Sequence, residues 1–154
     1  MTQYEEHVVP SLWDRLLDDK PDIQRENLPI LGVKDMKSMV LRDLIQLFNA
    51  RRYHWHEIDK QSPLQSSLMF YGLPDINSLS GRSSEDLQIM SQEMERLIKN
   101  FEPRLSHARV KMLEKETGSS NLKFLIEADL NIDPSPVPIQ VNTTFETTLE
   151  RFTD

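Results

Sequence analysis

The chain has 154 residues, 38% hydrophobic and 28% charged, a size at which one domain can bury a core without disulfides or bound metal. It contains no cysteine, which excludes a disulfide framework, thiolate metal sites and cysteine nucleophiles, and no apolar run approaches the roughly 18 residues of a membrane helix. A net charge of −7 opposes a phosphate backbone and no basic stripe with interleaved aromatics offsets it, so nucleic acid is not an expected partner.

Met1 to Glu6 has no basic stretch followed by an apolar one, and no secretory signal is expected. After Pro10, the recurrence of Leu12, Trp13, Leu16 and Leu17 predicts a short amphipathic helix from Ser11 to Asp18. Pro21, Pro29 and Gly32 then mark an irregular connection. Asp35 is placed to cap a second helix running to about Arg52, with Met36, Val40, Leu41, Leu44, Ile45, Leu47 and Phe48 on one face. Arg51 and Arg52 are expected in its last turn, against the negative end of the helix dipole. Pro63 to Tyr71 reads as a short helix ending at Gly72, with a turn at Leu73, Pro74 and Asp75.

The strongest helical pattern begins at Ser83, a capping hydroxyl with Asp86 three residues on. Leu87, Met90, Met94, Leu97 and Phe101 follow at spacings of three and four, and Ile98 widens the stripe. Pro103 disfavours helical dihedrals at Glu102 and ends the helix there. Beyond it the period falls to two. Ala108, Val110 and Met112 define a first strand, Thr117 to Asn121 a hairpin loop, and Leu122, Phe124, Ile126, Ala128 and Leu130 a second strand. Val137, Ile139, Val141, Thr143 and Phe145 define a third, placed on an edge because Pro136 and Pro138 cannot donate ladder bonds. The expected fold is α+β, with N-terminal helices packed on a C-terminal three-stranded antiparallel meander. Residues 1–34 form an N-terminal helix and connection and residues 35–154 the main domain, together one compact unit.

Four glycines supply neither a phosphate-cradling loop nor a Gly-x-Ser-x-Gly elbow. His54 and His56 have metal-like spacing, but no third and fourth ligands accompany them, and no metal or other cofactor is expected. A glycosidase would need two carboxylates facing across a cleft, and none of the 25 acidic residues is marked as such a pair. The one carboxylate in a special place is Glu102, at a helix C-terminus where the dipole disfavours it by about 0.3–1 kcal/mol. Arg104 lies two residues on and, along an extended chain, shares its face. The two form an internal ion pair or are offered to a partner.

Phe101, Glu102, Pro103, Arg104 and Leu105 after an amphipathic helix, followed by Phe124-x-Ile126-x-Ala128-x-Leu130, resemble the lysozyme-like baseplate family of contractile phage tails and type VI secretion systems. Val40 to Leu44 with Asn49 to Arg52 is similar to that family's first core helix. Ser67 to Asp75 and Ser11 to Leu16 are similar to its type VI branch. The resemblance implies a cytoplasmic, non-enzymatic component of a heteromeric assembly. Its partners would be other baseplate wedge subunits and contractile sheath proteins, and its sheet would template sheath polymerisation. Glu102, Pro103 and Arg104 carry over as the wedge contact. Val137, Ile139, Val141 and Thr143, on the expected edge strand, are the candidate sheath-facing residues. Ser106 and His107 follow the triplet where the family pattern is more basic, and no hydrolase residues carry over from the family's lysozyme label.

Overall fold

A computed structural model describes residues 32–52, 62–74, 83–113, 121–132 and 135–153. The expected Ser11 to Asp18 helix, His54 and His56, the Thr117 to Ser120 part of the hairpin loop and the Asp133-Pro134 junction lie outside the described residues. Helix α1 spans Val33–Asn49 and helix α2 spans Ser84–Phe101; both lie against one antiparallel sheet of strands β1 (Leu105–Met112), β2 (Leu122–Leu130), β3 (Val137–Glu146) and β4 (Arg151–Thr153), in that spatial order. The α+β expectation agrees with this architecture, but among the described residues the sheet has four strands rather than three. β4 is only three residues long, too short for any period to be read in it.

In α1, Met36, Val40, Leu44, Leu47 and Phe48 recur at helical spacing and are buried. The Asp35 carboxylate accepts a hydrogen bond from the Gly32 N–H at 3.2 Å, holding the first turn from inside the helix rather than from its cap. The helix stops at Asn49, so Arg51 and Arg52 are not in its last turn. Arg52 instead donates its backbone N–H to the Leu73 carbonyl at 2.9 Å while Leu73 donates to Ala50 at 3.0 Å, a parallel bridge that a helical period does not reveal. The Arg52 side chain lies over the Phe70 ring, 5.4 Å from its centroid, and 3.6 Å from Glu93. Burial lowers its pKa more than Glu93 restores it.

The expected helix from Pro63 to Tyr71 is two 3₁₀ turns, Pro63–Ser66 and Leu68–Phe70. The turn at Gly72 has φ +94°, and a Cβ there would lie 2.3 Å from the Ala50 carbonyl oxygen. Only glycine lets the chain cross the end of α1 at this distance.

α2 begins as the sequence predicts, with the Ser83 hydroxyl accepting from the Glu85 N–H at 3.1 Å, and buries Met90, Met94, Leu97 and Ile98. On β2, Leu122, Phe124, Ile126, Ala128 and Leu130 are all buried and face the helices. β1 breaks its alternation: Leu105 and Val110, of opposite parity, both point to the core. The register against β2 shifts between Ser106 and Arg109, and His107 adopts φ 52°. One extra residue in the strand is what turns both apolar side chains inward.

The far end of the sheet closes on aromatics. Phe152 of β4 lies 5.3 Å from Phe48, 5.0 Å from Phe145 and 6.1 Å from Phe124 between ring centroids. Its backbone is held from outside by the Asn49 carboxamide, which donates to the Phe152 carbonyl at 3.0 Å and accepts its N–H at 2.7 Å. A single side chain thus takes the place of a neighbouring strand.

Candidate functional site

The corner between α2 and β1 is a β-turn in which the Leu105 N–H donates to the Glu102 carbonyl at 3.1 Å. Pro103 occupies the second position, where its fixed φ fits. The sequence reading of an extended chain after Pro103 is corrected on this point, because the turn, not an extended face, brings Arg104 onto Glu102. Asn131 fastens the turn to the end of β2: its backbone N–H donates to the Arg104 carbonyl at 2.8 Å and its side-chain amide to the Pro103 carbonyl at 3.0 Å.

Glu102 is 5% exposed, and both its oxygens are occupied. Arg104 donates Nε to Oε1 at 2.7 Å and Nη2 to Oε2 at 2.5 Å, and its backbone N–H adds a 3.2 Å bond to Oε1. Such a fork is the strongest way to compensate a carboxylate at a helix C-terminus. Arg104 Nη2 also donates to Asp43 Oδ2 on α1 at 2.6 Å, and the other Asp43 oxygen accepts from Arg42 at 2.8 and 3.1 Å. Burial works against the Arg104 charge, but its hydrogen bonds to Glu102 and Asp43 and their charges outweigh it, so the guanidinium pKa is raised. The four groups form a charge-balanced chain, two cations and two anions, joining α1 to the corner.

Beside this chain is a hollow of about 440 Å³ lined by Gln46, Leu47, Tyr71, Phe101 and Pro103 together with Asp43, Glu102 and Arg104. Tyr71 meets Phe101 edge to face at 5.3 Å. Burial first, then the nearby Asp43 and Glu102 charges, pushes the Tyr71 phenol pKa up. What the corner shows to its surroundings is therefore exposed Pro103 and Gln46 over an apolar, aromatic recess, with the charges of the triplet turned inward.

The third strand offers something different from what its side chains suggest. Ile139, Val141 and Thr143 are buried and Val137 is partly buried, and the Thr143 hydroxyl donates to the Thr153 carbonyl at 2.8 Å. β4 pairs with Thr144, Phe145 and Glu146. The Phe152 backbone points away from β3, toward Asn49, so Phe145 directs its own groups to β2, and Thr144 and Glu146 direct theirs to β4. By the alternation of an antiparallel ladder, the backbone groups facing outward ahead of β4 belong to Pro138, Gln140 and Asn142. Pro138 thus lacks its N–H on the outer side, where the ladder with β2 loses nothing. Among the described residues, no strand pairs with this outward side of residues 137–143.

Residues 34–135, more than half of the chain, match the family model described as baseplate wedge protein gp25. The match contains α1, the α2 corner and strands β1 and β2. The chain belongs to the gp25 baseplate wedge protein family. No curated protein and no solved structure matches it.

In this gp25 family chain, sequence reasoning finds Glu102, Pro103 and Arg104 and misses the groups that complete the corner. Asp43, Arg42, Tyr71 and Asn131 come from three separate stretches, and nothing local distinguishes Asp43 from other helix-surface carboxylates. Asn131 carried a faint signal, as a polar residue directly after the last apolar position of β2. Among the described residues no group of three or more His, Asp or Glu could hold a metal ion, and none of the helices is long and apolar enough to cross a membrane.

Proposed function

We propose that this chain is a structural baseplate subunit of a type VI secretion system, of the TssE branch of the family, working on the cytoplasmic side of the envelope. It joins wedge partners through the Glu102-Pro103-Arg104 corner and gives the first sheath ring a strand edge on which to polymerise. The observation carrying this reading is the corner itself. A β-turn that two elements and Asn131 hold rigid beside an aromatic hollow is pre-organised for docking, and pre-organisation lowers the entropic cost of association. The type VI branch is supported by the Ser11 to Leu16 and Ser67 to Asp75 sequences.

For the sheath, the reading assigns strand addition along β3, in which main-chain hydrogen bonds give affinity. Gln140 and Asn142 would supply paired N–H and C=O groups, Pro138 a carbonyl, and the buried Ile139, Val141 and Thr143 the rigid platform beneath.

Co-expression with the wedge and sheath proteins of the same system tests this function. Gln46 is exposed at the hollow's rim, and Gln46→Trp fills its mouth while replacing no member of the ionic chain. Loss of wedge co-purification with an unchanged melting temperature is expected, and undiminished co-purification with sheath assembly would overturn the role of the corner.

A further inference from the structure

A second groove runs between the C-terminal half of α2 and the start of β1, about 640 Å³ in volume, and contains Glu95, Arg96, Lys99, Leu105, Ala108 and Arg109. The chain carries net charge −7, yet three of these residues are cations and one is an anion. Arg96 is committed to Glu93, at 2.9 and 3.1 Å. Glu95 is anchored by accepting the Val110 N–H at 2.8 Å, which leaves it only a loose 3.9 Å approach to the Arg109 guanidinium, itself 74% exposed. Lys99 is exposed on the last turn of α2, and no ion pair engages it among the described residues. Two cations thus flank a floor of Leu105 and Ala108 with little neutralisation from their own chain.

Among the described residues no strand pairs with the outer edge of β1, which is irregular. The bulge between Ser106 and Arg109 interrupts the ladder, and the Glu95 carboxylate caps the edge at Val110, so a neighbouring segment can lie along residues 105–109 but cannot extend beyond them. We infer that this groove receives a short, extended, acidic segment of a partner protein, its carboxylates reaching Lys99 and Arg109 and an apolar side chain resting on Leu105 and Ala108. This groove shares no lining residue with the corner hollow. Charge of one sign lining a cleft concentrates oppositely charged partners, and exposed cations act mainly through attraction that salt screens.

The test uses the full chain and a fluorescent synthetic peptide of alternating Glu and Leu, of about five residues to match the edge of residues 105–109, with a Gln-Leu peptide as the uncharged counterpart. The acidic peptide is expected to bind and to be released as salt rises. Lys99→Glu with Arg109→Glu weakens it by about tenfold or more, the combined effect of two reversed contacts. Lys34→Glu with Lys37→Glu, the same charge change on α1, leaves binding unchanged. Lys99→Gln with Arg109→Gln gives a milder loss and serves if the reversal disturbs folding. Equal binding of the Gln-Leu peptide, or equal affinity for the reversed protein, overturns the inference. So does salt-sensitive self-association that disappears in the variant, because the occupant would then be a second copy of this chain.

Discussion

Arg104 reaches across 61 residues of sequence to Asp43, at 2.6 Å, while keeping both oxygens of Glu102 in its fork. The corner is therefore part of the tertiary structure and not a surface decoration. Removing one partner of a largely buried ionic group leaves the other uncompensated, so Arg104→Ala is expected to lower the unfolding free energy by about 2–4 kcal/mol. Asp43→Asn, which keeps an acceptor for Arg104, costs about 1–2 kcal/mol. The double variant loses less than the sum of the two. Urea denaturation at neutral pH measures all three, and additive losses would show that the two residues do not cooperate. Alanine at Glu102 or Arg104 is accordingly a poor test of partner binding, because both remove stability as well as surface.

Much of this site could be read from sequence because its causes are local. Glu102 at a helix C-terminus requires a cation nearby, and Pro103 places the helix end, although the local pattern beyond it reads as extended chain and not as the turn that forms. The apolar alternation of β2 and the stripe from Leu87 to Phe101 have the same character, each set by a period within one element. What escaped depends on contacts between distant segments. Asp43 is one of 25 acidic residues, and only the approach of α1 to the corner singles it out. β4 exists because Phe152 finds Phe48, Phe124 and Phe145, not because three residues have a strand signature. The bulge at His107 has no glycine to announce it; the need to bury both Leu105 and Val110 imposes it.

Gly72 links the second 3₁₀ turn to the end of α1 and so places Tyr71 beside the hollow. An alanine there would have to tolerate φ +94° and a 2.3 Å approach to the Ala50 carbonyl. The two penalties together predict a loss of about 3 kcal/mol or more for Gly72→Ala, read as a fall in melting temperature. A change within experimental error would mean that the Ala50–Leu73 crossing relaxes freely.

Tyr71 gives the corner an alkaline signature. Its folded-state pKa is raised above the ordinary value of 10.0, chiefly by burial and then by Asp43 and Glu102. Below that value both folded and unfolded chains hold the phenolic proton, and the contribution to stability is intact. As pH rises through it the unfolded chain loses the proton first, so stability falls. Tyr71→Phe is expected to flatten the stability profile above about pH 10. Denaturant midpoints collected across that range measure it, and parallel profiles for the two proteins would refute the assignment.

The Asn49 clamp on Phe152 makes a directional prediction. Asn49→Ala leaves the outer backbone groups of β4 without their partner, at a cost of about 1–3 kcal/mol. Asn49→Asp keeps the acceptor for the Phe152 N–H but sets an oxygen against its carbonyl, and is expected to be no less damaging. Hydrogen exchange should locate the effect: amides of β4 and the end of β3 lose protection while the β1–β2 ladder keeps it. Uniform loss across the sheet would mean that β4 does not open separately.

The β3 edge separates backbone from side chain most cleanly. If the outward groups belong to Pro138, Gln140 and Asn142, then proline at position 140 removes an N–H that no described strand uses, as Pro138 already does two residues earlier. Gln140→Pro is expected to cost about 1 kcal/mol or less, whereas Val141→Pro removes a ladder bond to β2 and strains a buried position, costing about 3 kcal/mol or more. Chemical denaturation of the isolated subunit compares them, and equal losses would show that the parity of the strand is misassigned. With the parity right, Gln140→Pro becomes the instrument for the sheath. The subunit folds, its wedge contact is untouched, and strand addition is blocked at the first position after Pro138 where both an N–H and a C=O face outward. Wedge complexes that assemble normally but nucleate no sheath are the expected result. Normal sheath growth from the proline variant would move the sheath-initiating surface away from β3.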